Sequence, residues 1–235
     1  MSVLMLKREM ITLKPVTDKK EVYRYLGYVE NKTILPEKII NMIDECIHLA
    51  QEISKPKGVY QTLEIKDKTG DMVTIKGVDW MIRSKDIANL LEGSAYSTFM
   101  GVTIGEAFDR EVERLFQMGE YTKASIMDAV GSDLAEQAAN LMSEHIARQA
   151  KENGYHLTMR YSPGYGDFTL ENQPGILHLI GAEEIDLHAS ESCLLMPRKS
   201  VTALTGWAAG HESSNHKQQK CQTCRMKDCR FKCFQ

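Results

Sequence analysis

Apolar and polar positions recur with two different periods along this chain, and the switches between them divide it into helices and strands. Between 36 and 53, Ile39, Ile40, Ile43, Ile47 and Ala50 fall at helical spacing, which predicts an amphipathic helix with Pro36 in its first turn. Cys46 lies beside that stripe and reads as a small core residue. A shorter helix is predicted over 21–28. Alternation over 59–65, a turn at Asp67-Lys68-Thr69-Gly70-Asp71 and a return over 72–78 predict two paired strands. Ser84 is placed to cap a helix that runs to Leu91 and closes at Gly93. The apolar, β-branched run 97–104 predicts a buried strand, after which Gly105 opens a helix through Phe116.

The longest helical pattern covers 121–152. There Ile126, Val130, Leu134, Ala138, Leu141, Met142 and His145 form one stripe, with His145 at its edge as a partly buried, hydrogen-bonded residue. Gly131 interrupts the pattern, so two helices end to end are expected. Strands over 155–161, 190–196 and 200–207, and a helix over 169–180 despite Pro174, complete the reading. No repeat is visible, and helices and strands do not alternate regularly. The expected fold class is therefore α+β, a single domain with a twisted, mostly antiparallel sheet and packed helices.

Composition narrows the function classes. The 235 residues are 43% hydrophobic and 26% charged, the balance of an ordinary globular chain, and suffice for one large domain. The net charge of −3 conceals an asymmetry: residues 217–235 carry +5 and the remainder −8. An acidic body argues against nucleic acid as the partner, because phosphate binding is driven by clustered Lys and Arg. No apolar run is long enough to span a membrane, and Met1 to Met10 lacks the apolar core of a signal peptide. A cytoplasmic chain is expected, with residues 1–210 as the folded domain and 211–235 as a basic, cysteine-rich tail.

The stretch Arg160-Tyr161-Ser162-Pro163-Gly164-Tyr165-Gly166-Asp167 is the most informative. A guanidinium can grip a carboxylate with two parallel hydrogen bonds, Gly164 permits close backbone approach, and Tyr165 offers a ring and a hydroxyl. By turn chemistry alone, the Pro-Gly pair reads as a plain surface turn. The segment resembles the Arg-x-x-x-Gly-Tyr signature of the activation domain of cobalamin-dependent methionine synthase. Leu134-Ala135-Glu136 is similar to that family's Leu-Ala-Glu. Ser190-Glu191-Ser192, Met196-Pro197 and Ser200-Val201-Thr202 are similar to its Thr-Glu-Ser, Trp-Pro and Ser-Val-Ser run. The likeness covers about residues 95–207. The family's Asp-Trp dipeptide recurs as Asp79-Trp80 in a differently patterned stretch, and no role is carried onto it.

The resemblance implies a stand-alone activation domain that binds S-adenosylmethionine through Glu136, Arg160, Ser162, Pro163, Gly164 and Tyr165, with Glu191 a further candidate. It implies a cobalamin held by a partner, either a methionine synthase chain without its own activation domain or another corrinoid methyltransferase. A flavodoxin or ferredoxin would supply the electron.

Cys221, Cys224, Cys229 and Cys233 lie within 13 residues, a spacing that suits zinc or an iron–sulfur cluster, because crowded thiolates need a soft cation. Cys193 is a candidate to replace Cys233 as fourth ligand if the tail folds back. Redox thiols and an unoccupied tail stay open as readings. If the tail is a metal-held docking element, the protein is instead a non-catalytic interaction protein.

Overall fold

The computed structural model describes residues 8–28 and 32–210. Three long strands form the centre: β2 (Lys57–Thr69), β5 (Ser94–Thr103) and β9 (Ser200–Ala208). Each alternates two sets of apolar side chains, because successive residues of a strand point to opposite faces. Val59, Phe99 and Leu204 enter one core, while Tyr60, Met100 and Ala203 enter another. The short β1 (Glu9–Thr12), β3 (Met72–Ile75), β4 (Met81–Arg83) and β6 (His156–Leu157) extend the sheet. The order is β4-β3-β2-β5-β9-β6, with β1 beside the first half of β2 and β3 beside its second. Every pairing between named strands is antiparallel.

Helices cover both faces. One face holds α1 (Lys19–Tyr25), α2 (Glu37–Ile53), α4 (Glu106–Gln117) and α5 (Tyr121–Glu152). The other holds α3 (Lys85–Leu90), α6 (Gln173–Ile180) and a hairpin of β7 (His188–Ala189) and β8 (Leu195–Met196). The architecture is the expected α+β domain with an antiparallel sheet.

Helix α5 departs from expectation in an instructive way. Its 32 residues are one uninterrupted helix, about 48 Å long at 1.5 Å per residue. Gly131 does not break it. A Cβ there would collide with the ring of Phe108, so this glycine lets α4 approach rather than ending a helix. Ala124, Ala129, Ala135, Ala138, Ala139 and Ala150 are buried along the same helix and allow close packing throughout. Tyr60 donates to Gln149 Oε1 at 2.8 Å and lies 3.2 Å from His145 Nε2, which makes His145 the hydrogen-bonded, half-buried residue expected at the stripe's edge.

Other elements shift in extent. β2 runs on to Thr69, so the turn shrinks to Gly70-Asp71. Pro36 precedes α2 as its N-cap instead of lying within its first turn. Pro174 stands in the first turn of α6, where its missing N–H is no loss, and a 3-10 turn over Leu170–Asn172 precedes it. Residues 190–196 are the β7–β8 hairpin rather than one strand. Ser190 N–H bonds Leu194 O at 2.8 Å, and Cys193 turns the chain with φ 62°. The strand expected over 155–161 is reduced to β6 plus a single bridge, Tyr161 to Leu204. Pro163 reaches the register of Thr202 two residues later, and without an N–H it cannot continue the ladder.

Replacing Gly131 by Ala sets a gain in helix propensity of about 1 kcal/mol against the steric cost of meeting Phe108. The clash is predicted to win, with a net loss of about 1–2 kcal/mol in chemical denaturation and unchanged far-ultraviolet helicity. A stabilised variant would show that the Phe108 ring gives way.

Candidate functional site

The site grows from the outer side of α5. Glu136, Asn140 and Ser143 are spaced i, i+4, i+7 and therefore share one face of the helix. Arg160, just beyond β6, reaches across to all three. Its Nη2 donates to Glu136 Oε2 at 2.6 Å, and its Nη1 donates to Asn140 Oδ1 at 2.8 Å and to Ser143 Oγ at 3.4 Å. The Arg160 side chain is 12% exposed and that of Glu136 45%. A nearly buried cation thus faces a carboxylate that is free to move into solvent.

Helix α1 forms a second wall. Asp18, Val22 and Tyr25 repeat at i, i+4, i+7, and the face they define packs on α5. Asp18 N–H bonds Asp133 Oδ2 at 2.8 Å, and Gln137 Nε2 bonds Asp133 Oδ1 at 3.0 Å. Burial raises the Asp133 carboxyl above its ordinary range, and these two donors counter it. Burial, followed by the carboxylate of Glu136, pushes the Tyr25 hydroxyl up, while the Arg24 guanidinium lies 4.7 Å from the Tyr25 ring centre. Sequence reasoning named Glu136 and Arg160 but missed Tyr25, Asn140 and Ser143. Counting four and seven residues on from Glu136 would have found the last two. Tyr25 carried no such signal, since only the docking of α1 brings it here.

Residues 161–168 follow Arg160 along the chain, and α3 clamps them. Asp167 Oδ1 accepts from the Ser84 hydroxyl and from Asp86 N–H at 3.2 Å, and its Oδ2 accepts from Lys85 N–H at 2.8 Å. In return Asp86 Oδ2 accepts from the Tyr161 hydroxyl at 3.0 Å and from Asp167 N–H at 3.3 Å. Gly166 has φ 54°, and a Cβ there would strike Asp86 and Tyr161. Gly164 has φ 92°, a conformation that favours glycine. Gly164 N–H bonds Phe168 O at 2.7 Å, Pro163 is buried, Ser162 is half-buried, and Tyr165 stands 68% exposed at the tip.

The structure therefore brings Glu136 and Arg160 into contact and carries residues 162–165 on the loop that follows. Glu191 lies elsewhere, exposed in the β7–β8 turn beside the half-buried Cys193. Asp79 and Trp80 line a separate cleft of about 420 Å³ with Arg8, Lys76 and Gly175. Cys221, Cys224, Cys229 and Cys233 lie outside the described residues. Among the described residues no group of three or more His, Cys, Asp or Glu side chains is arranged to hold a metal, and no helix is long and apolar enough to cross a membrane.

These walls belong to a known class of fold. Over 88% of its length the chain is similar to a crystal structure of the MetH reactivation domain bound to AdoHcy, covering 80% of that chain with a TM-score of 0.67 at 14% sequence identity. The fold is that of a reactivation domain. No family model matches the sequence, and no curated protein matches it.

Partial desolvation draws Asp167 upward, but the hydrogen bonds from Ser84, Lys85 and Asp86 outweigh it and hold the carboxyl below its ordinary value. A depressed pKa in the folded state means stability that is present above the ordinary aspartate pKa near ~4 and lost as pH falls through the depressed value. Asp167→Ala is predicted to lower stability at neutral pH and to flatten the acid limb of a stability–pH curve. An unchanged acid limb would exclude Asp167 as its source.

Proposed function

We propose that this protein binds S-adenosylmethionine in the groove between α5, α1 and the 160–168 loop. It would then present the ligand to a cobalamin carried by another chain, for reductive methylation and reactivation. That partner is a methionine synthase lacking its own activation domain or a related corrinoid methyltransferase, with a flavodoxin or ferredoxin supplying the electron. The observation that carries the reading is the Arg160–Glu136 pair, set in a fold similar to a domain bound to AdoHcy.

The residues suit the ligand. Arg160 already holds a carboxylate at 2.6 Å, so a carboxylate from an amino acid can replace that of Glu136 without leaving the guanidinium unpaired. Released, the half-exposed Glu136 faces the positive end of the same molecule. Asn140 and Ser143 keep the guanidinium aimed while the exchange occurs. The exposed Tyr165 ring offers a stacking surface for a purine, and Gly164, at φ 92°, makes the turn that presents it. When bound, S-adenosylmethionine supplies an electrophilic methyl group on a sulfonium. No nucleophile from this chain is required: its residues orient the donor, and orientation alone removes much of the barrier.

Calorimetric titration with S-adenosylmethionine tests the reading. Wild type is expected to bind, and Arg160→Ala to weaken binding by about 10- to 100-fold, the loss of a charged hydrogen-bonding group. Glu136→Gln is expected to narrow the preference for S-adenosylmethionine over the uncharged thioether S-adenosylhomocysteine. A correctly folded wild type that binds neither would remove the proposal.

A further inference from the structure

The face of α5 that holds Glu136 continues past it. Asp128, Ser132, Glu136 and Asn140 stand four residues apart and form one i±4 ridge along the helix. A second basic residue closes the lower end of this ridge. Lys199, the residue before β9, donates from Nζ to Asp128 Oδ1 at 2.8 Å and to Ser132 Oγ at 2.9 Å. Ser132 Oγ in turn donates to Asp128 O at 3.1 Å, so ammonium, hydroxyl and helix backbone are linked.

The two pairs are alike in burial. Lys199 is 12% exposed and Asp128 45%, the same values as Arg160 and Glu136. In the other ion pairs of the described residues the basic side chain is 29–66% exposed. Two half-exposed carboxylates on one ridge therefore each face a nearly buried cation. Eight residues separate Asp128 from Glu136, roughly 12 Å along the helix axis. That matches the order of the span between the carboxylate and the ribose of an extended S-adenosylmethionine. Lys199 is itself held at the start of β9, where its carbonyl accepts the Ile104 N–H at 3.1 Å.

We propose that Asp128 is the nucleoside anchor of this groove, accepting hydrogen bonds from the ribose hydroxyls, and that Lys199 is the residue that positions it. The inference rests on the S-adenosylmethionine reading and deepens it. A carboxylate offers about four acceptor sites, and Lys199 occupies one. The remainder face a half-exposed edge, where neighbouring hydroxyls of a ribose can donate side by side. Arg160 and Asp128 then hold opposite ends of one molecule, which fixes the sulfonium between them.

The experiment compares S-adenosylmethionine with its 2′,3′-dideoxyribose analogue by calorimetry, on wild type, Asp128→Ala and Arg160→Ala. Asp128→Asn serves as a second variant that keeps an oxygen for Lys199 to bond, should the alanine variant fail to fold. Wild type is expected to prefer S-adenosylmethionine by about tenfold or more, the worth of a hydroxyl bonded to a charged acceptor. Asp128→Ala should bring that ratio close to one, whereas Arg160→Ala should weaken both ligands and leave the ratio intact. If Asp128 only clasps β9 to α5, its loss will weaken both ligands alike with the ratio unchanged, which overturns the inference. A wild type that binds both ligands equally overturns it as well. A wild type that binds neither fails the S-adenosylmethionine reading itself.

Discussion

Burial of α5 against the sheet is the constraint on which everything else in this molecule depends. One helix of 32 residues serves two hydrophobic clusters in succession, first with α2 and α4, then with β2, β5 and β9. Its alanines and Gly131 let these neighbours approach at backbone distance, and packing at that density leaves little room for the helix to slide. The outer face of α5 is thereby fixed in register against Arg160, Lys199 and α1. The polar side chains on that face are therefore positioned by packing in the core beneath them.

Electrostatics follow from that geometry. A guanidinium that is 12% exposed is costly without a partner, and Glu136 supplies one at 2.6 Å. Because Glu136 is itself half in water, the pair is asymmetric. The cation stays and the anion can leave. Exchange of one carboxylate for another on Arg160 changes the desolvation of the cation very little. On the function proposed above, such a site suits ligands that carry a carboxylate to offer and a positive charge for Glu136 to take up.

The loop that carries residues 162–165 is held by different means. Pro163 ends the β6–β9 ladder by having no N–H to give, and the chain swings away from the sheet edge. It is caught again by α3, through the reciprocal bonds of Asp86 and Asp167. Between these two fixed points Tyr165 is left projecting. An exposed aromatic at the tip of a pinned loop combines a defined backbone with a freely accessible ring, the arrangement that suits recognition by loops on rigid scaffolds.

Much of this was legible in the sequence, because local chemistry dictates it. Period-2 alternation marked the first half of β2, an apolar, β-branched run marked β5, Ser84 marked the start of α3, and Ile43 and Ala50 on one stripe marked the buried face of α2. The α+β class also came from residues alone, whereas Glu136 and Arg160 were named together only through resemblance, and the fold puts their side chains in contact. What the sequence could not decide were the features set by distant partners. Gly131 reads as a helix breaker until Phe108, 23 positions earlier, is packed against it. The strand predicted over 155–161 breaks at 158–160, where the register against β9 shifts by one residue and the Thr158 hydroxyl accepts the Gly206 N–H. Tyr25, Asp128 and Lys199 look like ordinary surface residues in one dimension, since propensity and periodicity record which face of an element is apolar and nothing about which polar side chains meet across two elements. That meeting is made by the docking of α1 and of β9 on α5, and tertiary structure alone determines it.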